Sequence, residues 1–174
     1  IITMKILALL FFIIFSNLLF SQITVDKKTV KYYDEKTKLI DDEKVKYNDS
    51  TNLVINDSIN AKVFKSENLI MVKNSTINNK INFQIKFYFE NKNLFFAKFI
   101  EKSPKFDKTN KILEFYVAND NIVFLKSHYK VGINLPPMLM EQKEVEKNFG
   151  YNSNLTKDYI YKYINNLYEL IRKQ

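Results

Sequence analysis

The side chains best placed by type to perform chemistry are a single histidine and several groups of carboxylates. His128 is the only histidine, so a metal site with two histidines is excluded, and a Ser/His/Asp triad would depend wholly on this residue. It continues the alternation of a predicted strand near its end, and we expect a structural or exposed role. The chain has no cysteine, which excludes disulfides, cysteine-rich zinc sites and thiol nucleophiles.

Carboxylates are the other candidates, because a glycosidase-type hydrolase needs only two of them. Two acidic clusters are interleaved with lysines, as on a solvated surface: Asp41-Asp42-Glu43, and Glu141, Glu144 and Glu146. Glu90 and Glu101 flank a predicted hairpin, but the sequence does not fix the strand register well enough to pair them. We therefore predict no catalytic, cofactor-binding or metal-ligating residue.

Charge and glycine content argue against phosphate and nucleic-acid ligands. The chain carries 27 Lys and Arg against 19 Asp and Glu, a formal charge of +8, yet Arg172 is its only arginine. Arginine is the residue that proteins favour for reading phosphates and base edges, so we predict no nucleic-acid partner. Gly132 and Gly150 stand alone, whereas a phosphate-binding loop needs several close glycines.

Two similar segments, 87–98 and 115–126, lie 28 residues apart and define a repeated hairpin. Identical residues occur at six of the twelve aligned positions: Phe87/Phe115, Tyr88/Tyr116, Asn91/Asn119, Asn93/Asn121, Phe96/Phe124 and Lys98/Lys126. Apolar and polar residues alternate over 81–90 and 113–117, as in half-buried strands. A weaker third copy ends at Lys73, and the segment Tyr33–Ile40 is a possible fourth copy.

The turn of each hairpin is predicted to end on asparagine. Asn93 and Asn121 are placed at the left-handed position of a three-residue turn, because asparagine tolerates a positive φ better than most residues. The return strands 94–97 and 122–125 are apolar at odd and even positions alike, which predicts that both faces of the sheet are covered there. The segment 103–111 is predicted to be the loop between the two hairpins.

Helices are predicted to close the chain. Pro136-Pro137 precede the segment Met138–Asn148 and Gly150 follows it, which is typical helix punctuation. The last segment has apolar residues at helical spacing, with Asn154 or Thr156 as its cap: Ile160, Tyr163, Ile164, Leu167, Leu170 and Ile171.

These elements predict an α+β fold for residues 22–174, as a single domain. Shorter candidate strands at 53–56 and 61–65 bring the total to about six in an antiparallel meander, covered on one face by the C-terminal amphipathic helix. The alternative is a lipocalin-like up-and-down barrel followed by that helix, whose interior would hold an apolar ligand.

The first residues are predicted to be a secretory signal peptide over 1–21, starting at Met4. Lys5 precedes an apolar run, 6–15, that is shorter than the roughly 20 residues needed to span a bilayer. Residues 4–22 resemble the leaders of small exported proteins of Bacteroidota-type bacteria, a resemblance that identifies no functional family. It implies a secreted or periplasmic location, and the absence of cysteine excludes a lipoprotein anchor. An uncleaved membrane anchor is the alternative; after cleavage we expect no stable membrane span.

For function, the residues predict an exported non-enzymatic protein that binds a protein or an envelope surface ligand. The alternative is a small apolar-ligand carrier, suggested by the many Phe and Tyr residues on alternating strand positions. This alternative predicts an internal cavity of roughly 300–1,000 Å³. A carboxylate-dependent hydrolase is a third possibility, and it requires two acids that converge in a cleft with well-separated pKa values.

Overall fold

The structure is a computed structural model that describes residues 25–42, 49–56, 59–76, 82–131 and 142–173. The chain divides into two units, 1–32 and 33–174. The predicted signal peptide, 1–21, lies outside the described residues, as does the start of the helix predicted from Met138.

Three helices and seven strands make up the described chain. The helices are α1 (Lys27–Asp42), α2 (Gln142–Phe149) and α3 (Lys157–Arg172). The strands are β1 (Asp49–Asn56), β2 (Ile59–Lys65), β3 (Leu69–Thr76), β4 (Asn82–Glu90), β5 (Asn93–Lys102), β6 (Asn110–Ala118) and β7 (Asn121–Lys130).

The strands form one antiparallel meander in the order β1-β2-β3-β4-β5-β6-β7. The predicted α+β meander is therefore confirmed, with seven strands where the sequence indicated about six. The additional strand is β3, which contains the weaker third copy of the hairpin. Because β1 and β7 stand at opposite ends of this order, the sheet is open and the lipocalin-like barrel is not formed.

Side chains alternate between the two faces of the sheet, so neighbouring residues on one strand serve different helices. Phe87 faces α3, where its ring centroid lies 5.8 Å from that of Tyr168. Tyr88 faces α1, where its hydroxyl donates to Asp41 at 3.1–3.2 Å. Both rings are fully buried, and burying an aromatic of this size contributes about 1.5–3 kcal/mol.

Helix α1 corrects the interpretation of Tyr33–Ile40 as a fourth hairpin. In the first unit, Asp26 caps the helix by accepting from the backbone N–H of Thr29 at 2.8 Å. In the second unit, Tyr33, Thr37 and Ile40 recur at helical spacing, and Thr37 and Ile40 are buried. The short match to the hairpin sequence concealed this longer period. The return strands predicted cover on both faces of the sheet, but the sequence assigned a helix to only one of them.

Helix α3 packs on the sheet as predicted. Its buried residues are four of the six predicted ones: Ile160, Ile164, Leu167 and Ile171. Tyr163 is half-buried, whereas Leu170 is 47% exposed because it lies on the flank of this stripe. The hydroxyl of Thr156 accepts from the backbone N–H of Tyr159 at 3.3 Å, which identifies Thr156 as the cap.

Gly150 ends α2 with a φ of +73°, a conformation that favours glycine. A β-carbon at this position would lie 3.0 Å from Cγ of Pro104, in the loop that joins β5 to β6. Glycine is therefore favoured here by both the backbone conformation and the limited space.

The hairpin turns are tighter than predicted. Positive φ values occur at Asn91 (50°) and Lys92 (67°), and at the equivalent Asn119 (50°) and Asp120 (61°). Two successive positive φ values define a two-residue hairpin turn with the strong right-handed twist that sheets favour. The prediction for Asn93 and Asn121 is wrong: they begin the return strands, and the asparagine two positions earlier takes the left-handed conformation.

Candidate functional site

A groove lies at the end of the sheet where the two repeated hairpins turn, beside the last turns of α3; we call it the hairpin groove. Its volume is about 540 Å³, within the roughly 300–1,000 Å³ typical of small-molecule sites. Seven of its eleven lining residues are apolar or aromatic: Ile70, Phe89, Leu94, Val117, Ile122, Tyr168 and Ile171. Four polar or charged residues complete it: Lys92, Asn93, Asp120 and Arg172.

The sequence repeat builds the apolar floor of the hairpin groove. Phe89 pairs with Leu94 across the first hairpin, and Val117 pairs with Ile122 across the second. The two pairs are equivalent at the 28-residue offset, and each is the second pair from its turn. The repeated unit therefore brings four apolar side chains to the same end of the sheet.

Helix α3 supplies the opposite wall. The ring of Tyr168 packs on that of Phe87, with centroids 5.8 Å apart and planes inclined by 31°. This contact fixes the ring of Tyr168 at the side of the hairpin groove. Ile171 is buried and also lines the groove, and Arg172 ends the helix.

Charged residues surround the phenol of Tyr168. Burial raises the pKa of this phenol; Arg172 opposes the rise, whereas Glu169 and Asp120 reinforce it. The guanidinium of Arg172 lies 3.9 Å from Glu169, and both side chains are well exposed to water. Lys92, in the first hairpin turn at the position equivalent to Asp120, is the remaining charged residue of the groove lining.

A smaller space of about 330 Å³, the corner groove, lies beside the start of α3. Within it, Nζ of Lys111 lies 2.7 Å from the carboxylate of Glu146, which also accepts from the hydroxyl of Tyr129 at 3.4 Å. Nζ of Lys157 lies 4.9 Å from the ring centroid of Phe124. The two lysines that line the corner groove, Lys111 and Lys157, therefore already have partners in the protein.

Glu101 is buried near this ion pair and is only 2% exposed. Its Oε1 accepts from the backbone N–H of Asn152 at 2.8 Å, while its Oε2 has no hydrogen-bond partner within the described chain. Burial raises the pKa of Glu101; Asn152 and Lys111 oppose the rise, and Glu146 reinforces it. Glu101 does not line the corner groove, so the two carboxylates do not converge in one cleft.

A layer of charged residues joins α1 to the sheet. Glu114 is buried on β6, with Nζ of Lys126 3.2 Å from its carboxylate and Nζ of Lys98 3.9 Å away. Lys98 also donates to the hydroxyl of Thr37 at 2.9 Å, and Lys126 contacts Asp34 at 3.2 Å. These contacts tie a helix to a sheet, and we assign them a structural role.

The candidates from sequence reasoning do not meet at one place. His128 is exposed on β7, and Asp41 pairs with Lys86 at 2.6 Å. Glu90 pairs with Lys36, and Glu144 is exposed. Glu43 and Glu141 lie outside the described residues.

Within residues 25–42, 49–56, 59–76, 82–131 and 142–173, no group of three or more His, Asp or Glu side chains could hold a metal ion. No helix in this part of the chain has the length and apolar character needed to cross a membrane.

The hairpin groove was not predicted from the sequence, because the repeat was interpreted as a structural feature without a functional role. A usable indication was present: Phe89 and Val117, and Leu94 and Ile122, are apolar at equivalent positions beside both turns. The contribution of α3 to the groove depends on where that helix crosses the sheet, which the sequence does not specify.

The chain matches no protein-family model, no curated protein and no solved structure.

Proposed function

We propose that this protein is an exported, non-enzymatic binding protein that holds a small apolar ligand in the hairpin groove. The observation that carries the proposal is the groove of about 540 Å³, with seven apolar or aromatic residues in its lining. Small-molecule sites combine a concave, mainly apolar surface with a few polar groups that orient the ligand. The apolar-ligand alternative anticipated an enclosed interior, whereas the space that supports binding is open at one end of the sheet.

A small ligand accounts for this geometry better than a protein partner does. A large continuous apolar patch on the surface is one mark of a protein interface. The exposed apolar residues of α3 are Tyr159, Tyr161 and Leu170, and they are divided between the two flanks of its buried stripe. They therefore do not form one patch on this helix.

Hydrolysis by two carboxylates is less well supported than binding. The raised pKa of Glu101 would suit a general acid, because such a group has to carry a proton near neutral pH. A general acid also has to reach its substrate, and Glu101 is almost completely buried. Glu146 reaches the corner groove but already pairs with Lys111 at 2.7 Å.

Export is proposed from the leader over 4–22, whose short apolar run follows Lys5. A secreted or periplasmic location suits a binding protein that collects a ligand outside the cytoplasm. The mature protein is expected to begin at Gln22, which N-terminal sequencing of the protein from its native source would test. A chain that still begins at Met4 would contradict export by cleavage.

The binding proposal is tested with decanol as the probe, by isothermal titration and by amide chemical-shift mapping. We expect saturable binding, with the largest shifts at Val117, Ile122 and Tyr168. Val117→Trp fills the groove and should abolish binding, whereas Ser127→Trp in the corner groove is the matched control and should retain it. Shifts in the wild-type protein that avoid the groove would contradict the proposal even if V117W does not fold.

A further inference from the structure

We propose that the hairpin groove selects an amphiphile with an anionic head group, whose apolar tail lies on the hairpin floor and whose head group contacts Lys92 and Arg172. This inference rests on the proposed function and adds the chemical class of the ligand. It is carried by charge complementarity at the edge of an apolar groove, since the lining holds two cations and one anion.

The two cations reach the hairpin groove from different elements. Lys92 stands in the turn of the first hairpin, and Arg172 lies at the end of α3. An anion between them would contact an ammonium from one side and a guanidinium from the other. The planar guanidinium suits a carboxylate or a phosphate because it donates two parallel hydrogen bonds to such groups.

Arg172 is available for this role. Its partner Glu169 lies 3.9 Å away, and both side chains are more than half exposed, so this pair contributes little that a ligand would have to replace. A ligand head group can therefore recruit the guanidinium without disturbing the packing of α3.

The carboxylate of Asp120, which also lines the groove, weakens the preference for anionic ligands. Asp120 occupies the turn position equivalent to Lys92, so the repeat places opposite charges at the two hairpin turns. Its carboxylate would repel an anionic head group and thereby direct it toward Lys92 and Arg172. Removing this charge should strengthen anion binding, an effect that apolar contact alone does not produce.

The test compares three probes with the same tail and different heads: decanoate, decanol and decyltrimethylammonium, each below its micelle concentration. We expect decanoate to bind about fivefold more tightly than decanol, and the cationic probe to bind most weakly. The decanoate advantage should shrink as salt rises, because exposed charges are screened. Decanol affinity should not depend on salt in this way.

The variants assign the effect to residues. Lys92→Gln and Arg172→Gln should each lower decanoate affinity about two- to threefold and leave decanol affinity unchanged. Lys173→Gln is the matched control, one position beyond the groove lining, and should change neither. Asp120→Asn should raise decanoate affinity by about twofold.

The outcomes separate this inference from the proposed function. If decanol or the cationic probe binds as tightly as decanoate, the head-group inference is overturned while the binding function stands. If none of the three binds, both fail. Vesicles of phosphatidylglycerol, added as competitors, distinguish a membrane lipid from a free amphiphile as the source of the head group. Equal competition by phosphatidylcholine vesicles would overturn the anion preference.

Discussion

Lys98 and Lys126 occupy the same position in the two repeated hairpins, and both place their ammonium groups beside the carboxylate of Glu114. The Nζ–Oε distances are 3.9 Å for Lys98 and 3.2 Å for Lys126. Each lysine also reaches α1, Lys98 through the hydroxyl of Thr37 and Lys126 through the carboxylate of Asp34. The last residue of each repeat is therefore one of the points at which that hairpin contacts α1.

The shared carboxylate leads to the first prediction, which concerns Glu114→Gln. The substitution preserves shape but removes the carboxylate that both lysines contact, and Lys98, whose side chain is only 15% exposed, would keep weaker compensation for its charge. Losing one partner of a buried ion pair costs about 3 kcal/mol, and we expect a loss of this size in the free energy of unfolding. Urea unfolding monitored by circular dichroism measures it.

Glu67→Gln is the control for this prediction, because Glu67 is exposed between β2 and β3. Its effect should stay within about 0.5 kcal/mol. Equal stability of E114Q and the wild type would show that the charged layer does not hold the helix.

The second prediction compares Lys98→Met with Lys126→Met. Burial lowers the pKa of Lys98 in spite of Glu114, whereas at Lys126 the attraction of Glu114 and Asp34 outweighs burial and raises the pKa. Lys98 is thus the lysine at which the cost of burial exceeds the attraction of neighbouring carboxylates. Its ammonium also lies 5.4 Å from the ring centroid of Tyr88, so a methionine would pack against an aromatic surface.

We expect K98M to change the free energy of unfolding by less than about 1 kcal/mol, because an apolar replacement removes the cost of burying the charge. K126M should cost about 1–2 kcal/mol, because it takes the nearer cation away from the buried Glu114. Chemical denaturation of both variants under the same conditions gives the comparison. A larger loss in the free energy of unfolding for K98M than for K126M would contradict the conclusion that burial costs more at Lys98.

The third prediction is a pH dependence that comes from Glu101. Burial raises the pKa of this carboxyl above its ordinary value of 4.5, so the folded protein holds the proton more tightly than the unfolded chain. The stabilising contribution is therefore fully present below 4.5, and it is lost as the pH rises through the folded-state pKa. Glu101→Gln cannot ionise and should lack this loss.

Melting temperatures of E101Q and the wild type, measured from about pH 4 to about pH 8, test the prediction. The melting temperature of E101Q should rise relative to that of the wild type as the pH rises. The amide of the variant still accepts from the N–H of Asn152, and it leaves no buried charge. Glu144→Gln, exposed on α2, should follow the wild type throughout. A constant difference between E101Q and the wild type would mean that Glu101 does not titrate between the two pH limits.

The meander was predictable because the local sequence of its strands already indicates β structure. Alternation over 81–90 and 113–117 indicates half-buried strands, and the repeat marks where each hairpin turns. Helix α1 was not predictable in the same way, because it packs through tyrosine, threonine and charged residues. Asp34, Asp41 and Thr37 resemble solvated positions until their partners on the sheet are known.

The hairpin groove shows the same limit at the level of the site. Its floor follows from local sequence, since Phe89 and Val117 are equivalent and each faces its own cross-strand partner. Its wall follows from tertiary packing, because contacts such as that between Tyr168 and Phe87 bring α3 to this end of the sheet. Arg172 therefore could not be assigned to the same site as Lys92 from sequence alone.

The last prediction concerns the strained hairpin turn. Lys92 adopts a φ of 67°, where a residue with a β-carbon is disfavoured by about 1–2 kcal/mol and glycine is not. We therefore expect Lys92→Gly to raise the free energy of unfolding by about 1 kcal/mol while weakening decanoate binding. Lys102→Gly, at the extended end of β5, is the matched control and should lower stability by about 0.5–1 kcal/mol. Loss of stability in K92G as well as in K102G would contradict the two-residue turn, because glycine is favoured only where φ is positive.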